Sequence, residues 1–168
     1  LTAAAMPFLY KKYRPLSLLI AILVTGGVTA YFCFFIHPVV NHAAFTSDYL
    51  WAPAVGVNLS FYLDGLSLFF ALLVSVFGWL ITIYSISYIK SYAHAGRFFG
   101  YLLFFMGSML GVVLSANLIT LFIFWELTSF SSYLLIGFKN KNEKSRWAAR
   151  QALLLTSAGG LALMAGFI

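Results

Sequence analysis

Long unbroken apolar runs dominate this chain, in place of the alternation of a half-buried strand or the one-sided stripe of a soluble helix. Five stretches stand out: Leu16–Ile36, Leu66–Tyr88, Phe98–Ser115, Leu118–Phe138 and Ala148–Ile168. A bilayer core about 30 Å thick is crossed by roughly 20 helical residues, and each run approaches or exceeds that length. Backbone groups in hydrocarbon must bond within their own segment, so such runs are helical. Barrel strands would alternate over about ten residues, which these do not. The pattern predicts an all-α, polytopic bundle of five full spans. Leu1–Tyr10 is apolar but too short to span, and basic residues follow it directly, whereas a secretory signal carries its charge before the apolar stretch. It reads as the end of an earlier helix. The last run reaches Ile168 with no closing loop, so the chain is expected to be a piece of a larger fold.

The polar positions between the runs set local structure. The stretch 37–65 is the longest loop; its later part, Trp51–Leu63, mixes β-formers with Pro53 and Gly56 and predicts a short surface hairpin. Asp64 precedes a helical run, where a carboxylate caps free backbone N–H groups; a functional role is the alternative. Only Ala116 and Asn117 separate the third and fourth runs, which must pair antiparallel. Gly107, Gly111 and Ser115 offer a small face for close helix approach, as do Gly159 and Gly160.

Composition agrees. Hydrophobic residues make up 62% of the 168 and charged residues 8%, against roughly 25% charge in soluble domains. That excludes a soluble enzyme, a disordered segment and a disulfide scaffold, and the single cysteine, Cys33, has no internal partner. The net charge of +6 points to membrane orientation rather than to nucleic acid. Under strict alternation all the basic residues fall on one side, in loops 11–14, 90–97 and 139–150, while the other side holds Asp48 and Asp64. These basic loops are expected to be cytoplasmic in a cell (plasma or inner) membrane. His37, His42 and His94 lack ligand spacing, and no cofactor or metal is expected. Trp51 and Trp147 suit the interface.

One residue breaks the apolar pattern. Glu126 lies near the middle of the fourth run, where a charge costs roughly 2.5–3.5 kcal/mol. Ser129 and Tyr133 fall within about 60° of it on a helical wheel and complete a narrow polar stripe that should face protein or water. Glu126 is either a permanently protonated hydrogen-bonding glue or a group that exchanges protons. Desolvation favours a neutral carboxyl and a nearby cation the charged one, so exchange needs a movable cationic partner. Away from their ends the spans contain none, and such a partner is expected from elsewhere in a longer chain or from another subunit.

The runs Ser115-Ala116-Asn117-Leu118, Phe124-Trp125-Glu126-Leu127-Thr128-Ser129 and Ser131-Ser132-Tyr133-Leu134-Leu135-Ile136-Gly137-Phe138 resemble the fifth-helix signature of the antiporter-like subunits shared by respiratory complex I and Mrp-type multisubunit Na⁺/H⁺ antiporters. Tyr62-Leu63-Asp64-Gly65-Leu66-Ser67-Leu68 resembles that family's approach to its third helix. Phe-Trp-Glu-Leu-Thr-Ser is more like the N-terminal part of the large Mrp subunit, MrpA, than complex I subunits. The resemblance implies a subunit of a monovalent cation (Na⁺)/proton antiporter, a transporter and not an enzyme, with other subunits as partners. It implies that Glu126 pairs with a lysine on a broken seventh helix, which lies beyond the helices present; half a translocation site would not transport alone. The alternatives are a proton-translocating subunit of a complex I-like quinone oxidoreductase or membrane-bound hydrogenase, and a structural membrane module.

Overall fold

The computed structural model describes residues 2–52, 57–89, 92, 95–139 and 141–167. Pro53, Gly56, Lys90 and His94 lie outside the described residues, as does Ile168. In chain order the elements are α1 (Thr2–Lys12), α2 (Arg14–Phe34), α3 (Ile36–Val40), β1 (Phe45–Ala52), β2 (Val57–Leu63), α4 (Gly65–Tyr88), α5 (Ala95–Leu114), α6 (Leu118–Ile136) and α7 (Glu143–Phe167). The chain is a polytopic membrane helix bundle carrying one antiparallel hairpin, which pairs Phe45 with Leu63 and Leu50 with Asn58.

Four helical stretches are long and apolar enough to cross a membrane among the described residues: Arg14–Val40, Gly65–Tyr88, Ala95–Leu114 and Leu118–Ile136. The expected fifth, Ala148–Ile168, does not qualify. Its helix starts earlier, at Glu143, and within the run Arg150, Gln151, Thr156 and Ser157 dilute the apolar content.

On α2 and α4 the inward faces are rich in small residues, while α5 buries Phe99, Leu102, Leu103 and Met106. The buried side of α2 is Ser17, Ala21, Thr25, Thr29 and Phe32; that of α4 includes Ala71, Ser75, Gly78, Thr82 and Ser85. Leu19, Leu23, Phe34, Phe69, Phe77 and Tyr84 are exposed. Lipid tails are as apolar as leucine, so helices associate through close contact of small faces. The buried hydroxyls bond within their own helices: Thr25 donates to the Ala21 carbonyl at 2.9 Å, Thr29 to Thr25 at 3.0 Å and Thr82 to Gly78 at 2.7 Å. These threonine hydroxyls therefore demand no neighbour before helices can meet.

Glycines set two close approaches. Gly96 and Gly100 on α5 receive α1, where added β-carbons would press on Tyr10 and on the Ala3 carbonyl. Gly111 receives the ring of Phe124 from α6, leaving no room for a β-carbon, whereas Gly107 has nothing within 4 Å. Only one glycine of that spaced pair is thus a packing contact.

Polar caps fix the hairpin end. Asp64 accepts from the Ser67 N–H at 2.8 Å, and the Asp64 N–H donates to the Ser67 hydroxyl at 2.7 Å, a reciprocal capping box opening α4. The Ser67 backbone N–H first, then its hydroxyl, hold the Asp64 carboxyl below its ordinary value of 3.8. Asn117 caps α6 by accepting from the Thr120 N–H at 2.7 Å, and its amide donates to the Asn58 carbonyl at 2.9 Å. Ala116 N–H donates to the Ser60 carbonyl at 2.8 Å, and Ser60 N–H to the Thr120 hydroxyl at 3.1 Å. The free edge of β2 is thereby stitched to the α5–α6 turn.

Gly111→Ala is expected to destabilise the bundle by about 1–3 kcal/mol through overpacking on Phe124, and Gly107→Ala to be neutral or slightly stabilising; thermal unfolding of the two variants in detergent separates them, and equal effects would refute the asymmetry. Asp64→Ala is expected to cost about 1 kcal/mol and Asp64→Asn much less. A lowered folded-state pKa means the cap contributes fully above 3.8 and fades as pH falls below it. Unfolding measured against pH should show the Asp64→Ala deficit shrinking in that acid range.

Candidate functional site

α6 is positioned at one end by its Asn117 cap and the hairpin, and along its side by Phe124 on Gly111. The midpoint of Leu118–Ile136 is residue 127, so Glu126 stands one residue, about 1.5 Å, from the centre of the helix. It projects toward α7, which packs alongside. Gly160 of α7 faces the carboxyl so closely that a β-carbon there would collide with Oε1 and lie 3.3 Å from Cδ and 3.5 Å from Trp125 Cδ1. Gly159, its neighbour, has nothing within 4 Å. The Gly-Gly pair is thus one notch, cut at the level of the acid.

Glu126 Oε1 is buried and has no hydrogen-bond partner among the described residues. A buried polar oxygen left unsatisfied costs about 1–3 kcal/mol, more if charged, and native structures keep few without a reason. Ser129 is buried, but its hydroxyl donates to the Trp125 carbonyl of its own helix at 3.2 Å. Thr128 donates to the same carbonyl at 2.7 Å, and Ser131 to Leu127 at 2.8 Å. Tyr133 lies half-buried two turns along α6, in a recess with Arg97 and Arg150. Glu126, Ser129 and Tyr133 thus share a helix without hydrogen-bonding one another.

No described cation neighbours the acid. The last basic residue of α7, Arg150, is ten residues before Gly160, about 15 Å along the axis. Among the described residues no three of His, Cys, Asp and Glu gather as a metal site; His37 sits with Asn41 on α3, Nδ1 to Nδ2 at 3.4 Å. Trp51 and Trp147 are exposed, as interfacial residues can be. Sequence reasoning treated Gly160 as general packing and did not gather the arginines around Tyr133. The first needed a contact across helices, the second a fold bringing the starts of two helices together.

Comparison with known proteins gives the chain its relatives. Residues 51–99 match the family model described as NADH-ubiquinone oxidoreductase (complex I), chain 5 N-terminus, and residues 115–168 match NADH:quinone oxidoreductase/Mrp antiporter, transmembrane. Na(+)/H(+) antiporter subunit A1 of Staphylococcus haemolyticus (strain JCSC1435) is 52% identical over 118 residues, 70% of this chain and 15% of that protein. The subunit A1 of Staphylococcus aureus (strain JH9) has the same identity and coverage. The chain therefore spans about 15% of the length of these relatives. The Mrp complex from Dietzia sp. DQ12-45-1b superposes with a TM-score of 0.85 at 32% identity, over 98% of this chain and 17% of that one. An archaeal respiratory complex, the membrane-bound sulfane sulfur reductase, shares the fold at a TM-score of 0.76 and 20% identity, over 95% of this chain and 32% of its own.

Gly160→Ala is expected to move the Glu126 carboxyl while changing stability by less than about 1 kcal/mol, because a flexible side-chain tip can yield. The carboxyl stretching band, assigned by its loss in Glu126→Gln, should shift in Gly160→Ala and stay in place in Gly159→Ala. An unshifted band would disprove the notch.

Proposed function

This chain belongs to the antiporter-like family of NADH:quinone oxidoreductases and Mrp antiporters, and we propose that it serves in a subunit exchanging Na⁺ for protons across the cell membrane. In this reading Glu126 is a proton-carrying member of an intramembrane ion pair, and its basic partner comes from outside the described residues, on a longer chain or a neighbouring subunit. The observation carrying the reading is the unsatisfied Glu126 oxygen lodged at mid-helix against Gly160. A glue residue would donate or accept a bond there; a switching residue needs a site that either protonation state can occupy.

The energetic logic is a trade between two forms. Approach of a cation favours the carboxylate, and its withdrawal favours the acid. Tyr133 and Ser129 lie on the same helix toward the basic end and would line the proton's route. The loops 11–14, 90–97 and 139–150 would face the cytoplasm. The protein would act as a secondary transporter rather than an enzyme, with the bilayer and further antiporter subunits as partners. The match of residues 51–99 to a complex I model supports a second reading, proton translocation driven by redox subunits.

Glu126→Gln in the full-length protein and its assembly is the direct test. Everted vesicles should lose pH-gradient-driven Na⁺ exchange to near background, with assembly unchanged by co-purification. Retained exchange would return Glu126 to a structural role; exchange absent in the parent but proton uptake driven by a redox substrate would favour the second reading.

A further inference from the structure

The recess around Tyr133 invites a ligand of its own. It is a cavity of about 310 Å³ at the basic end of the bundle, between the start of α5, the end of α6 and the start of α7. Arg97, Arg146 and Arg150 line it together with the phenols of Tyr101 and Tyr133. No acidic residue lines it: Asp48 and Asp64 belong to the opposite, hairpin end, Glu126 is at mid-helix, and Glu143 lines a different recess with Lys144 and Trp147.

The backbone adds to this positive field. Arg97 stands in the first turn of α5 and Arg146 near the start of α7, where a helix already presents partial positive charge and prefers an anion. The C-terminus of α6 contributes about half a negative charge, far short of three guanidiniums. Solvated loop arginines would not need to converge on one concavity. These come from the starts of two helices far apart in sequence and share a wall with two tyrosines.

We propose that this recess binds the phosphodiester headgroup of an acidic phospholipid. Guanidinium groups pair with phosphate oxygens bidentately, phenols at a membrane boundary donate to phosphate or glycerol oxygens, and basic pockets between spanning helices suit anionic headgroups. Leu134 and Phe138 give the recess an apolar wall along which an acyl chain can leave. A free phosphate ion shares the headgroup chemistry but makes no use of that wall. The proposal requires only the membrane placement, not the transport reading.

The test uses the full-length protein in its assembly, delipidated in detergent and titrated separately with phosphatidylglycerol, phosphatidylcholine and inorganic phosphate. Bound lipid is counted by native mass spectrometry. Phosphatidylglycerol should bind saturably and phosphatidylcholine should not. The triple variant Arg97→Gln, Arg146→Gln and Arg150→Gln should lose on the order of a hundredfold in affinity, and Arg150→Gln alone about fivefold. The single variant carries the test if the triple does not assemble. Phosphatidylglycerol binding unchanged in either variant overturns the site. Inorganic phosphate saturating it as tightly as the lipid overturns the lipid assignment.

Discussion

Helices surrounded by hydrocarbon gain nothing by hiding leucine from one another. They hold together only where backbones approach closely and no polar group is stranded. The inward faces of α2 and α4 meet both conditions with serine, threonine, alanine and glycine, whose hydroxyls bond to carbonyls one turn back. The rest of the architecture follows. Many bulky residues of α2 and α4 are left exposed, glycines admit α1 and Phe124, and the hairpin is tied down by backbone groups at a helix turn.

Against that economy, Glu126 is the exception. Buried hydroxyls such as those of Thr29 and Ser131 bond to their own helices, but its Oε1 has no partner among the described residues. The fold also removes a side chain opposite it by placing Gly160 there. A carboxyl group given space but no partner is unstable in isolation, which fits a group whose partner is supplied by moving parts. Tyr133, two turns further along the same helix, lines the arginine recess at the basic end.

Much of this was legible from residue order. Continuous apolar runs announced helices, and the Asp64 position announced a cap. The hairpin was expected from Trp51, but β1 begins at Phe45, because Thr46 and Tyr49 pair across to β2 as well as the later residues do. α7 was read from its apolar half alone, although Glu143 and Asn142 start the helix before the charge thins out. What one dimension could not supply was the choice between equivalent neighbours. Gly107 and Gly111, or Gly159 and Gly160, look alike in a string; only the ring of Phe124 and the carboxyl of Glu126 tell them apart. The four-residue spacing of Ser17, Ala21, Thr25 and Thr29 was readable but was masked by the bulk of the leucines between them.

The hairpin has a mechanical consequence. β2 runs straight into the cap of α4 while its edge is bonded to the turn that starts α6. It is therefore a cross-brace between two rods that are not neighbours in the chain. Sliding α4 past α6 at that extremity means breaking main-chain bonds together rather than one by one, whereas the opposite extremity has no such strap among the described residues. The brace thus stiffens the hairpin extremity of the bundle.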